Sequence, residues 1–400
     1  MKEKSKIGII GGGIIGLTIA YKLKLKFPKS DIYLFEKESG VGAHQSGNNS
    51  GVLHCGLHYL PGSLKARLSV NGAQQMIAFC RDNDIDHELC GKIVVATNNQ
   101  EISGINELAR RGERNGLRGL KFLNKTELKN REPNVRGLKT LLVPQEGIIN
   151  YKKVTATLKD LLENLGVKIL LNHKVKSLQP QGDQNPILVT DHFESDFDLV
   201  VNCSGLFSDR VYSKFTGMNS PVKIIPFRGE YMHLSSQYIG LFNHLIYPVP
   251  DPIYPFLGVH FTRLIEGGRE VGPNAVLAFK REGYRNTDFS FSDIIESVSY
   301  VGLRKFILKN FRYSLGELKS SLYPSAFIAN AQKMIPDLRD FMFEKKGTAG
   351  VRAQAITEEG SLLNDFKIIK EGNQVHVLNA PSPGATASFA IADYVIENYV

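Results

Sequence analysis

The amino-acid pattern predicts an α/β protein in which an alternating strand–helix domain is interleaved with a β-rich, mixed-sheet α+β domain. Three observations carry this. Gly11, Gly13 and Gly16 follow a strand-like run and open a helix-like one. Glu36 closes the next β-like run, twenty residues beyond Gly16. From about residue 221 to 279 the chain turns aromatic and proline-punctuated, and its last fifty residues return to the opening style.

Residues 6–10 form a short apolar run that reads as the first strand. Ile15, Ile19, Leu23 and Phe27 recur at a spacing of four and predict a helix over 14–27. Pro28 and Ser30 break it before a second strand at 32–35. A helix over 154–165, strands at 167–171, 175–178 and 198–201, and a glycine turn at 202–205 continue the pattern. Residues 291–322 read as helical, with Pro324 closing them. The segment 350–354, a strand at 375–378, a turn and a final helix complete the chain. These pieces divide into a Rossmann-like nucleotide domain over 1–90, 150–220 and 345–400 and a substrate domain over 91–149 and 221–344.

At 400 residues, 42% hydrophobic and 22% charged, the composition is that of an ordinary globular protein with two or three domains' worth of core. No run approaches the eighteen or so apolar residues of a spanning helix. The charged start passes at once into a short strand, without the apolar core of a secretory signal, so a cytoplasmic chain is expected. Cys55, Cys80, Cys90 and Cys203 lie far apart. That argues against structural disulfides and, with no cysteine–histidine cluster at ligand spacing, against a bound metal. The net charge of +9 suits an anionic lipid surface or an acidic substrate. Nucleic acid is not an expected partner, since no dense Lys/Arg block or recognition motif accompanies the charge.

The glycine cluster gains meaning from its strand–turn–helix context. Gly11 makes the sharp turn, Gly13 lets backbone approach a pyrophosphate, and Gly16 permits close helix–strand packing, with the phosphates at the positive helix N-terminus. Glu36 would accept hydrogen bonds from a ribose diol and repel a 2′-phosphate. Two further stretches favour a flavin over a nicotinamide dinucleotide. Residues 44–51 are small, polar and glycine-bearing, suited to run along a long buried cofactor. Residues 379–386 precede the final helix, with Ser382 as its N-cap and Pro383 as its first residue, aiming N–H groups at the charge of a reduced flavin. The candidate cofactor contacts are Gly11, Gly13, Ile14, Ile15, Gly16, Glu36, Lys37, His44, Gln45, Ser46, Asn49, Ser50, Gly51, His54, Val175, Cys203, Ser204, Gly205, Ser382, Pro383, Gly384, Ala385 and Thr386.

At these residues the sequence resembles the D-amino-acid oxidase-like superfamily of FAD enzymes, and within it the L-2-hydroxyglutarate oxidase/dehydrogenase family. The likeness covers nearly the whole chain and rests on residues 44–54, 61–66, 226–231, 247–252, 255–263, 272–284, 350–355 and 379–383. Ser46, Asn48 and Gly384 depart from the usual threonine, histidine and alanine, which alters hydrogen bonding near the flavin. The resemblance implies oxidation of L-2-hydroxyglutarate to 2-oxoglutarate, with the C2 hydride passing to flavin N5. The electrons would go on to a quinone or other respiratory acceptor, or to oxygen.

A dicarboxylate with a C2 hydroxyl needs a cationic clamp and an acceptor for the hydroxyl proton. Arg352, in a segment that resembles the superfamily's carboxylate-binding arginine, is the first clamp candidate, against a structural bridge between domains. Arg228 and Arg263 are secondary candidates for the distal carboxylate, with fold-stabilising ion pairs as the alternative. His260 is the favoured base, because a near-neutral pKa suits the task and alternation turns it away from Val259 and Phe261. His54 and Tyr59 resemble the flavin-adjacent segment of related glycerol-3-phosphate dehydrogenases, which places Tyr59 on substrate and His54 on flavin or in the core. An amine or imino-acid oxidase on the same scaffold and a non-catalytic flavin sensor stay open as other readings. Between residues 299 and 319, Arg304, Lys305, Lys309, Arg312 and Lys319 accompany the single acid Glu317, while Leu303, Ile307, Phe311, Leu315 and Leu318 recur every three or four. Such a helix either rests on the inner face of an anionic membrane or buries its stripe against the β-rich domain.

Overall fold

A computed structural model describes residues 4–181, 184–251, 257–285, 287–311, 316, 324–344 and 347–400. The opening strand, Lys6–Ile10, lies between Asp31–Phe35 and Leu199–Asn202, parallel to both, and buries Ile7, Ile9 and Ile10. Burial on both faces is why it reads as a continuous apolar run and not as an alternating one. The six-stranded sheet runs Lys367–Glu371, Gln374–Asn379, Leu199–Asn202, Lys6–Ile10, Asp31–Phe35, Lys168–Leu170, and only the Lys367–Glu371 edge pairs antiparallel. Helices Ile14–Lys26, Leu64–Asp82, Tyr151–Asn164 and Ser388–Tyr399 share its core, where Leu17, Ile19, Leu23, Met76, Leu158 and Ile391 are fully buried. Two helices, Tyr151–Asn164 and Ser388–Tyr399, pack on the first one, so it buries Leu17 and Ala20 beyond the expected stripe.

A seven-stranded mixed sheet runs Met232–His233, Arg269–Gly272, His260–Arg263, Leu245–Pro248, Lys92–Ala96, Lys139–Val143, Lys121–Leu123. Phe261 and Ile246 enter one core with Ile93, Val271 and Phe242. Alternation therefore turns His260 and Tyr247 to the opposite face, where their rings stack. The strand Lys223–Glu230 pairs antiparallel with Ala349–Ile356, placing Arg352 opposite Phe227 and linking the chain's last part to its middle.

Several sequence expectations shift. Strands expected at 167–171 and 175–178 occupy Lys168–Leu170 and Ser177–Gln181, which leaves Val175 in the connection. The helical run expected over 291–322 breaks at Tyr300, whose extended backbone separates Phe291–Ser299 from Val301–Lys309. Pro324 opens the helix Pro324–Gln332 instead of closing one, a position where its missing N–H costs nothing. Arg312, Leu315, Glu317, Leu318 and Lys319 lie outside the described residues, as do Pro252, Pro255 and Phe256 of the quoted motifs. The final helix begins only at Ser388, with Ala387 at its N-cap, so Ser382 does not cap it and Pro383 does not start it. Tertiary contacts pin the intervening turns. Thr386 Oγ1 and Tyr151 Oη are 2.7 Å apart, and a Cβ on Gly72 would meet Ala387 Cα at 2.6 Å. No helix among the described residues is long and apolar enough to cross a membrane.

Candidate active site

A cavity of about 1280 Å³ runs from the first glycine turn to the β-rich part of the molecule. Ordinary small-ligand pockets hold roughly 300–1,000 Å³, so this one has the size for a dinucleotide with a substrate beside it. At one end the backbone leaves no choice of residue. Gly11 has a φ of +106°, and a Cβ there would lie 2.5 Å from the Cys203 carbonyl oxygen; on Gly16 it would lie 2.0 Å from that of Gly11. Only glycine fits either place, and the turn stays open for phosphate. Glu36 accepts the Gly12 N–H at 2.7 Å and the Glu38 N–H at 2.9 Å, so its carboxylate braces the turn as well as facing the cavity. Ser46 Oγ accepts the Ile14 N–H at 2.9 Å.

Gly11, Gly13, Ile14, Ile15, Lys37, His44, Gln45, Ser46, Asn49, Ser50, His54, Val175, Cys203, Ser204, Gly205, Ser382, Pro383, Gly384, Ala385 and Thr386 line the cavity together with Glu36. Gly16 sits beneath the turn, and Gly51, at a φ of +64°, shapes the entry to Val52–Leu53; neither lines it. Near the nucleotide end, Lys37 Nζ bonds Glu282 at 2.9 Å, His44 Nε2 at 2.9 Å, and Glu38. Burial works against charge on His44, but Glu282 and Glu38 lift its pKa above the ordinary value. Glu38, His44 and Glu282 have metal-like spacing, and the Lys37 ammonium is the cation they share.

The other end gathers His54, His58, Tyr59, Lys65, Tyr231, Tyr247, His260 and Arg352. His260 is buried, with its ring centroid 4.1 Å from that of Tyr247. Its Nδ1–H donates to the Gly258 carbonyl at 3.0 Å, leaving Nε2 as an acceptor. Desolvation, aided by the charge of Arg352, pushes its pKa down to about 3. This corrects the near-neutral value expected for it. The Arg352 side chain lies beside that of Tyr231. Arg228 and Arg263 do not reach the cavity. Arg228 is buried against Glu230 at 3.0 Å and the Arg285 carbonyl, and Arg263 grips both oxygens of Glu88 at 2.9 Å. Each holds the fold, and the expected distal clamp has to come from elsewhere.

A buried network stands behind His54 that sequence reasoning missed. His54 Nδ1 is 3.4 Å from Glu146 Oε2, long for a hydrogen bond, so that oxygen is unsatisfied. Glu146 Oε1 accepts from Lys92 Nζ at 2.5 Å and from Cys55 Sγ at 3.2 Å, and Lys92 Nζ lies 3.2 Å from His58 Nε2. Burial works to raise the Glu146 pKa, yet Lys92 and His54 hold the carboxyl well below the usual range. Burial, with Lys92 adding to it, keeps His58 well below the ordinary imidazole value. In the sequence Lys92 and Glu146 look like surface charges beside turns; only the histidines of 53–59 signal the place.

A cavity of this length, phosphate-ready at one end and lined by histidines and an arginine at the other, defines a flavin-dependent oxidoreductase. The family model described as FAD dependent oxidoreductase matches residues 6–398, and FAD is the cofactor of this family. The L-2-hydroxyglutarate dehydrogenase of Indibacter alkaliphilus is 45% identical over 97% of each chain. That of Escherichia coli (strain K12) is 43% identical over 97% of this chain and 91% of its own. The chain belongs, within the FAD-dependent oxidoreductases, to the family of these dehydrogenases. Among solved structures, dithionite-reduced L-α-glycerophosphate oxidase from Mycoplasma pneumoniae with FAD bound shares the fold. Its TM-score is 0.77 at 21% identity, covering 99% of this chain and 94% of that one.

Proposed function

We propose that the protein oxidises L-2-hydroxyglutarate to 2-oxoglutarate and passes the electrons to a membrane quinone. The observation that carries the reaction is the convergence of Arg352 and His54, the latter backed by buried Glu146, in one cavity with the glycine turn. The names of relatives aligned over nearly the whole chain support the substrate. Bound FAD would supply the acceptor for the hydride of C2. The turn at Gly11 and Gly13 would hold its pyrophosphate, Glu36 its ribose, and the 382–386 loop its flavin end. Arg352, steadied by Tyr231, grips the carboxylate next to C2 with its planar fork. His54 takes the hydroxyl proton, and ionised Glu146 stabilises the imidazolium so formed while C2–O becomes C=O. Neutral His260 offers an acceptor at Nε2, but with a pKa pushed down to about 3 it is too weak a base to keep the proton.

Anaerobic mixing tests the reaction. L-2-Hydroxyglutarate should bleach the bound flavin, whereas the D isomer, glycine, sarcosine and proline should do so slowly. Equal or faster bleaching by the amines would move the activity to amine oxidation.

For the acceptor, the supporting observation lies on the surface. Phe279, Phe289, Phe291, Ile295, Val298, Val301, Ile307, Leu308 and Phe311 are half of all the exposed large apolar side chains among the described residues. Arg304, Lys305 and Lys309 stand among them. A patch of this kind marks an interaction site, and basic residues within it suit an anionic bilayer. Of the expected stripe, Ile307 and Phe311 are exposed, whereas Leu303 is buried with Phe306. Both Phe291–Ser299 and Val301–Lys309 contribute exposed apolar side chains.

A further inference from the structure

With Arg228 and Arg263 tied into the fold, a dicarboxylate still needs a second cation. Besides Arg352, the cavity-lining cations Arg111, Lys37 and Arg210 are engaged, with Glu107 at 3.1 Å, with Glu38 and Glu282, and with Asp293 and Glu296, while Lys174 and Lys214 are exposed to solvent. Lys65 is different. It projects from the first turn of the helix Leu64–Asp82, lines the same end of the cavity as Arg352, and sits 4.8 Å from the centroid of the Tyr59 ring. Its ammonium makes no hydrogen bond or ion pair among the described residues. Asp365 is near, but its oxygens accept the N–H groups of Leu64, Lys65 and Phe366 at 3.2, 2.7 and 2.8 Å. Lysines ordinarily extend their charge to water. Here the side chain runs into a cavity wall beside a second cation.

We infer that Lys65 is the distal carboxylate clamp, so that a diacid spans Arg352 and Lys65 and this pairing selects dicarboxylates over monocarboxylates. The inference rests on the proposed dicarboxylate reading of the site. Two cations in one pocket repel until a dianion neutralises both, which makes binding favour two carboxylates over one. Arg352 sits at the reacting end, because its charge reaches His260 as well as Lys65. The carboxylate remote from C2 then falls to Lys65. Desolvation, with Arg352 adding to it, lowers the lysine's pKa to about 8 even though Asp365 opposes the shift. A bound carboxylate would relieve that burden.

Glutarate and pentanoate, a diacid and a monoacid of equal length, provide the test on the FAD-loaded protein, with binding read by calorimetry. Removing one partner of a buried charge pair costs about 2–5 kcal/mol, so Lys65→Met should weaken glutarate binding roughly thirtyfold or more and leave pentanoate binding unchanged. Lys65→Arg should retain most of the affinity for glutarate. In turnover, kcat/KM of Lys65→Met should fall for L-2-hydroxyglutarate, mainly through KM, and hold for L-2-hydroxypentanoate, with the flavin spectrum unaltered. Equal losses for diacid and monoacid, or no loss for the diacid, overturn the clamp. If wild-type protein fails to oxidise L-2-hydroxyglutarate but glutarate binding still collapses in Lys65→Met, the reaction fails and the clamp stands.

Discussion

Arg352 and Arg263 carry the same charge on strands of two different sheets, and one faces the cavity while the other grips Glu88. Strand alternation and the nearest acid decide between the two fates. Arg352→Ala should cost about 2–5 kcal/mol of carboxylate binding, lowering turnover at least about tenfold while FAD stays bound. Arg263→Ala should leave flavin reduction unchanged, since it breaks only a partly exposed pair. Unchanged kinetics in Arg352→Ala would return that arginine to a structural role. The base is separable by pH. His260, with its pKa near 3, is neutral throughout pH 5–9, so His260→Asn should slow flavin reduction without altering the form of its pH profile. Glu146→Gln, by removing the charge that stabilises the imidazolium on His54, should slow flavin reduction. A neutral-range transition that vanishes only in His260→Asn would restore His260 as the base.

Helix limits show how tertiary contact overrides a local signal. Ser382 followed by Pro383 has the chemistry of a helix start, but the helix waits until Ser388 because the loop is pressed against Gly72 of Leu64–Asp82. A side chain on Gly72 would collide with Ala387 backbone, not with a movable side chain. Gly72→Val should therefore destabilise the protein by about 1–3 kcal/mol or more, as overpacking does. It should also loosen FAD, since the displaced loop lines the cavity. Thermal unfolding and flavin release on heating check this. Gly240→Ala, with nothing within 4 Å of the added atom, is the control and should shift stability by no more than about 0.5 kcal/mol. Equal melting temperatures for both variants would remove Gly72 as the pin.

For the whole molecule, the exposed apolar side chains of 279–311 predict peripheral membrane attachment without a spanning helix. The protein should float with anionic vesicles at low salt and much less with neutral ones. High salt should weaken the attachment, because screening shortens the reach of surface charge to about 8–10 Å near physiological ionic strength. Phe291→Asp combined with Leu308→Asp should abolish flotation and leave reduction of a soluble dye intact, as neither residue lines the cavity. Wild-type protein that is active but never floats would favour a soluble acceptor.

The nucleotide end was legible in the sequence because its demands are local. Gly11 needs a positive φ, Gly16 lies against the Gly11 carbonyl, and Glu36 meets the Gly12 N–H within one strand–turn–helix–strand unit. Apolar spacing likewise announced the first helix and the central strands, since periodicity is written into neighbouring residues. The far end was not legible in this way. Lys92 and Glu146 become a buried pair only when Lys92–Ala96 and Lys139–Val143 align, and Lys65 is left without an ion pair among the described residues while Asp365 accepts backbone amides. His260 was visible as a residue type, but the desolvation that lowers its pKa comes from groups distant in the chain. Spacing along a chain encodes backbone shape and periodicity; burial and charge pairing arise between segments that meet only when folded, and these set the chemistry of the site.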